Sequence, residues 1–92
     1  MKYTVVWKST AEDDLAKLWL TARNRNGVRV ASDRIEALLR SNPLGIGQKF
    51  LSGRRLLFVN EIGVTYRVND DDRIVVILNV WRTPKPTNGQ PH

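Results

Sequence analysis

The 92-residue chain contains no cysteine, so it has neither disulfides nor thiolate metal ligands, and a reducing interior suits it. Histidine is almost as scarce: the one imidazole is His92, at the end of a proline-rich segment, where it reads as a terminal residue rather than a catalyst. No apolar run approaches the ~20 residues of a membrane helix. The start, Met1-Lys2-Tyr3-Thr4-Val5-Val6-Trp7, lacks the apolar core and small-residue cleavage site of a secretory signal. These absences lead us to expect a soluble, cytoplasmic protein without membrane association. Acidic residues are also in deficit, 9 against 15 Lys and Arg, for a net charge of +6. Two thirds of the cations are arginine, whose planar fork pairs bidentately with phosphate and carboxylate. The balance favours an anionic partner without choosing between nucleic acid and an acidic polypeptide.

What is present is dominated by Arg54–Arg82. Three runs rich in Val, Ile, Leu, Tyr, Phe and Trp are broken at Asn60-Glu61 and at Asn69-Asp70-Asp71-Asp72, the signature of a three-stranded antiparallel meander. Such a meander needs a second layer to cover one face. In the middle strand Val64, Tyr66 and Val68 alternate with Thr65 and Arg67, so one face is partly wet. The run Ile74–Trp81 is apolar on both parities apart from Asn79, as in a central strand.

Upstream, Tyr3–Lys8 reads as a strand. Ser9-Thr10 offers an N-cap, Glu12, Asp13 and Asp14 place negative charge in a first helical turn, and Ala11, Leu15, Leu18, Trp19 and Ala22 share one helical face. Asn24-Arg25-Asn26-Gly27 is expected to stop that helix. A second apolar set, Val28, Ala31, Ile35, Leu38 and Leu39, runs to Asn42 and ends at Pro43. The resulting helical hairpin supplies the missing layer. Pro43–Gly53 reads as a flexible loop; its glycines and Lys49 do not form a P-loop, which leads into a helix. Thr83–His92, with three prolines, reads as a loose tail beyond a single domain at 1–82. The triple aspartate reads as a solvated turn rather than a metal site, with Arg73 beside it as a partner, and nothing in the chain calls for a cofactor.

The order strand, helical hairpin, meander resembles the RelE/ParE superfamily of bacterial type II toxins. The resemblance lies in Val6-Trp7-Lys8-Ser9-Thr10-Ala11-Glu12-Asp13-Asp14-Leu15, in Asn42-Pro43-Leu44-Gly45, in Gly53-Arg54-Arg55-Leu56-Leu57-Phe58-Val59, and in Val64-Thr65-Tyr66-Arg67-Val68 with Val80-Trp81-Arg82. It implies an α+β fold, an antiparallel sheet of about four strands packed by the hairpin. It also implies a growth-inhibiting toxin, neutralised by an antitoxin whose acidic extended segment covers basic residues. Toxins similar to RelE cleave messenger RNA on the ribosome without a metal, and those similar to ParE poison DNA gyrase, as plasmid-stabilising modules do.

RNA cleavage through the ribose 2′-OH requires a proton acceptor, a proton donor and cations. Arginine is too basic to accept that proton. Lys49, expected to be crowded by the like charges of Arg54 and Arg55, is one candidate base, and Tyr66 and Glu61 are the other proton-handling groups; Tyr66 reads as a core ring and Glu61 as a solvent-facing turn residue. The candidate catalytic set is Lys49, Arg67 and Arg82. The set expected to bind target or antitoxin is Lys49, Arg54, Arg55, Arg67 and Arg82, gathered onto one basic sheet face. RelE-like nucleases place an arginine at the start of the middle strand and a tyrosine beyond the last; here those places hold Gly63 and a tail without tyrosine. The reading is therefore inhibition by binding, with a degenerate ribosome-dependent nuclease as the alternative and a plain nucleic-acid-binding module as a second.

Overall fold

A computed structural model describes residues 2–83, so the expected tail lies outside the described residues except for Thr83. The elements are β1 (Thr4–Trp7), α1 (Ser9–Thr21), α2 (Arg25–Ser41), β2 (Gln48–Lys49), a short 3-10 turn (Leu51–Gly53), β3 (Arg55–Val59), β4 (Ile62–Asn69) and β5 (Ile74–Arg82). They form one sheet in the order β1-β5-β4-β3-β2, with β1 parallel to β5 and the other pairs antiparallel. The architecture is the expected α+β, but the sheet is mixed rather than wholly antiparallel and has five strands rather than about four.

The extra strand is Gln48–Lys49, which pairs with Leu56 and Arg55. Gly47 makes the pairing possible: it sits at φ +69, and a Cβ there would lie 2.4 Å from the Leu56 carbonyl oxygen.

The hairpin covers one face of the sheet. Ala11, Ala31, Ile35 and Leu39 share a core with Leu57, Val59, Ile62, Val64, Tyr66, Val75, Ile77 and Val80. A β-bulge explains part of the apolar pattern of β5 on both parities. Thr65 faces Asn79 but Tyr66 faces Ile77, leaving Leu78 as the extra residue. The bulge switches parity: Val75 and Ile77 point inward before it, Val80 after it.

The helix boundaries differ from the sequence reading in two places. Lys8, not Ser9 or Thr10, precedes the first helical residue, and no side chain caps the helix. The α1 groups instead serve the β5 edge where β1 no longer reaches it. The Thr10 hydroxyl donates to the Leu78 carbonyl at 3.0 Å, and Asp14 Oδ2 accepts from the Val80 N–H at 3.1 Å. At the second boundary α1 already ends at Thr21, and Asn24 caps α2 by accepting from the Gly27 N–H at 2.9 Å. Asn24–Gly27 therefore starts the second helix rather than stopping the first, because an asparagine oxygen satisfies free first-turn amides.

Candidate docking face of the sheet

Because both helices lie on one side, the other face of the sheet is left uncovered by the described residues. Strand alternation puts Val6 of β1, Val76, Asn79 and Trp81 of β5, Gly63, Thr65 and Arg67 of β4, and Leu56 and Phe58 of β3 on it. None of these residues is acidic. Phe58 and Val6 are 48% and 44% exposed, high values for large apolar side chains on a sheet.

The register gives this face an internal order. Phe58 and Trp81 both pair with Gly63, and their rings meet edge to face at 6.1 Å. A Cβ on Gly63 would lie 2.7 Å from the Trp81 ring, so the pair occupies the space over the glycine. Next along the strands, the Thr65 hydroxyl donates to Asn79 Oδ1 at 3.2 Å. Beyond it lies Arg67, exposed and paired with Val76. Arg55 faces Tyr66, so extending the β3–β4 register by one residue sets Arg54 opposite Arg67. The Arg54 Nε is shielded from solvent and has no hydrogen-bond partner. Guanidinium groups thus mark one end of the face and aromatic rings the other, four residues or roughly 13 Å apart at ~3.4 Å per residue.

The expected convergence of all the basic residues does not occur. Arg54 and Arg67 share the uncovered face; Arg55 and Arg82 belong to the opposite one. Arg55 Nη2 donates to the carbonyls of Ile46 at 2.9 Å and Leu44 at 3.3 Å, and its Nε donates to the Tyr66 hydroxyl at 3.3 Å. That hydroxyl donates to the Pro43 carbonyl at 2.8 Å, with the Ile46 carbonyl at 3.1 Å. Tyr66 is fully buried. Together Arg55 and Tyr66 pin the Pro43–Gly47 loop to the sheet, so the segment read as a flexible connector is anchored by side chains from β3 and β4.

Arg82 pairs with Ile62 at the far end of β4 from Arg67. It lines a cleft of about 530 Å³ with Arg23, Asn24, Asn60 and Glu61, between the helical hairpin and the β3–β4 turn. Lys49 pairs with Arg55 on the outermost strand, exposed but on Arg55's parity. The candidate catalytic trio of Lys49, Arg67 and Arg82 is thus divided between two faces and opposite ends of the sheet. A change of one residue in strand parity moves a side chain to the other face, and the sequence alone does not fix that register.

The aspartate turn is partnered within the chain. Arg73 Nη1 meets Asp70 Oδ1 at 3.0 Å and the Tyr3 hydroxyl at 2.9 Å, and Tyr3 in turn donates to Asp70. The hydrogen bond to Asp70, with partial burial adding to it, raises the Tyr3 pKa above its ordinary 10.0, against the opposing pull of Arg73. Asn69 Nδ2 holds Asp72 Oδ2 at 3.0 Å. Phe58, Gly63, Asn79 and Trp81 were not singled out as site residues from the sequence. Their signal is an aromatic on each flanking strand opposite a glycine, and it becomes visible only once the strands are in register.

The sequence model of the ParE toxin of the type II toxin–antitoxin system parDE matches residues 5–85. Among solved structures, the toxin–antitoxin complex RelBE2 of Mycobacterium tuberculosis superposes with a TM-score of 0.75 at 27% identity, over 89% of this chain and 92% of that one. The chromosomal ParDE system of P. aeruginosa gives 0.64 at 17% identity, over 89% and 97%. The isolated E. coli RelE toxin gives 0.67 at 13% identity, over 91% and 87%. No curated protein sequence matches the chain. With nearly its whole length under the family model and a sheet-and-hairpin fold shared with these structures, the chain belongs to the ParE toxin family of type II toxin–antitoxin systems.

Proposed function

We propose that this toxin inhibits growth by binding DNA gyrase through the uncovered sheet face, without cleaving RNA, and that a cognate antitoxin with an acidic extended segment neutralises it. The family match supports the gyrase assignment, and the relatives solved as toxin–antitoxin complexes support the antitoxin. One observation carries the choice of binding over cleavage: among the described residues, the guanidinium groups of the uncovered face have no proton-transfer group beside them. The Tyr66 hydroxyl is buried on the other face and engaged with Arg55 and the Pro43 carbonyl. The position where RelE-like nucleases carry an arginine is Gly63, closed over by Phe58 and Trp81. Each missing proton-transfer group costs a nuclease ~10²- to 10⁴-fold in rate.

Induced expression without antitoxin tests the reading. Gyrase inhibition gives DNA damage with intact transcripts, and the purified protein blocks supercoiling. Transcripts cut in translating cells, with supercoiling unaffected, would establish the nuclease alternative instead.

A further inference from the structure

The uncovered face has a chemistry that binding to a folded protein does not by itself require. From the structure we infer that it is a stacking platform for single-stranded DNA: the Phe58–Trp81 pair receives a base, and Arg54 and Arg67 receive the backbone phosphates. Exposed rings on a sheet offer π-faces to any base, and nearby guanidinium groups neutralise phosphate, the combination that holds single strands in a sequence-tolerant way. Four features of the face support this occupant. Phe58 is 48% exposed while its ring edge is fixed against Trp81, so the platform is ordered before a base arrives. Gly63, having no side chain, lets both rings pack down onto the strand as one surface. Strand residues on this face carry no carboxylate, in a chain of net charge +6. The exposed Asn79, which accepts from the buried Thr65 hydroxyl, lies between the aromatic and cationic ends, where a base edge would pass.

The strand must enter from the Arg54 side. On the other side of Arg67 a shallow hollow is bordered by Asp70 and Asp71, which repel phosphate. Assigning DNA rather than RNA rests on the proposed gyrase target; the presence of a nucleic-acid site on this face does not.

The experiment uses the full chain and fluorescein-labelled dT12 and U12 oligonucleotides, with anisotropy read across a salt series. The wild-type protein is expected to bind dT12 at least as tightly as U12. Phe58→Ala is expected to weaken dT12 binding roughly 5- to 150-fold, the usual range for losing one stacked base. Arg67→Gln is expected to weaken it and lower the salt slope by about 0.7, the value for one phosphate contact on a single strand. Both side chains are exposed, and circular dichroism is to be used to check that each variant is folded.

Absence of dT12 binding at low salt, or binding that folded Phe58→Ala leaves unchanged, overturns the platform. Clear preference for U12 overturns the DNA assignment. Supercoiling assays on the same variants are scored separately. Gyrase inhibition that survives in a variant unable to bind dT12 separates this site from the proposed function, whereas dT12 binding without gyrase inhibition removes the gyrase reading and leaves the site standing.

Discussion

Replacing Tyr66 with phenylalanine removes one oxygen from the core and tests whether that hydroxyl is structural or chemical. The ring stays in a fully buried site, so no cavity larger than the oxygen forms. Three interactions vanish: the bonds to the Pro43 carbonyl at 2.8 Å and the Ile46 carbonyl at 3.1 Å, and the bond accepted from Arg55 Nε at 3.3 Å. The Ile46 carbonyl keeps Arg55 Nη2 at 2.9 Å, so the loop is loosened rather than released. Leaving a buried carbonyl without its donor costs about 1–3 kcal/mol. In a domain of this length each kcal/mol moves Tm by about 4–8 °C, so the expected fall is roughly 4–24 °C. Thermal melts followed by circular dichroism, with urea titration checking that the m-value is unchanged, measure it. At a temperature where the variant is folded, growth inhibition is expected to match the wild type. A fall in Tm below about 2 °C would refute the energetic reasoning. Loss of toxicity in a fully folded variant would refute the structural assignment and return Tyr66 to the chemistry.

Three further outcomes follow from the same contacts. Gly63→Ala puts a Cβ 2.7 Å from the Trp81 ring, and it is expected to cost about 1–3 kcal/mol in urea unfolding and to alter the near-ultraviolet dichroism of the aromatic pair. Asp14→Ala strips the acceptor from the Val80 N–H and is expected to destabilise by about 1–2 kcal/mol, whereas Asp14→Asn, which keeps a carbonyl oxygen there, is expected to recover most of that loss. Tyr3 has a pKa raised in the fold, so its contribution is fully present below its ordinary value of 10.0 and is lost as pH rises through the folded value. The stability difference between wild type and Tyr3→Phe is therefore expected to be flat from neutral pH to about 9 and to shrink above 10; a difference that grows there would contradict the Tyr3–Asp70 hydrogen bond.

Much of the fold was legible in the sequence. Alternation in Val64–Val68, the breaks at Asn60-Glu61 and Asn69–Asp72, and the two helical stripes each follow from local periodicity. What the sequence did not reveal depends on contacts distant along the chain. The bulge at Leu78 is held by Thr10 and Asp14, more than 60 residues earlier, which satisfy the Leu78 carbonyl and the Val80 N–H. That bulge brings Val80 to the core on the parity opposite to Val75 and Ile77, while Val76 and Trp81 are apolar residues of the uncovered face. Gln48–Lys49 is too short for its own composition to mark it as a strand, and only the left-handed turn at Gly47 brings it alongside β3. The basic site was legible only in part for the same reason. Counting arginines along strands does not say which face each one takes, and consecutive Arg54 and Arg55 necessarily take opposite ones. Arg55 then serves the loop rather than the surface.

Growth inhibition by a charge-reversed face is the most direct test that the uncovered sheet surface carries the activity. Phe58→Asp combined with Arg67→Asp is to be expressed without antitoxin beside Arg82→Asp, each at an expression level and Tm matched to wild type. The face variant is expected to be harmless and the Arg82 variant to remain toxic. A toxic face variant with a harmless Arg82 variant would place the activity in the opposite cleft and contradict the account.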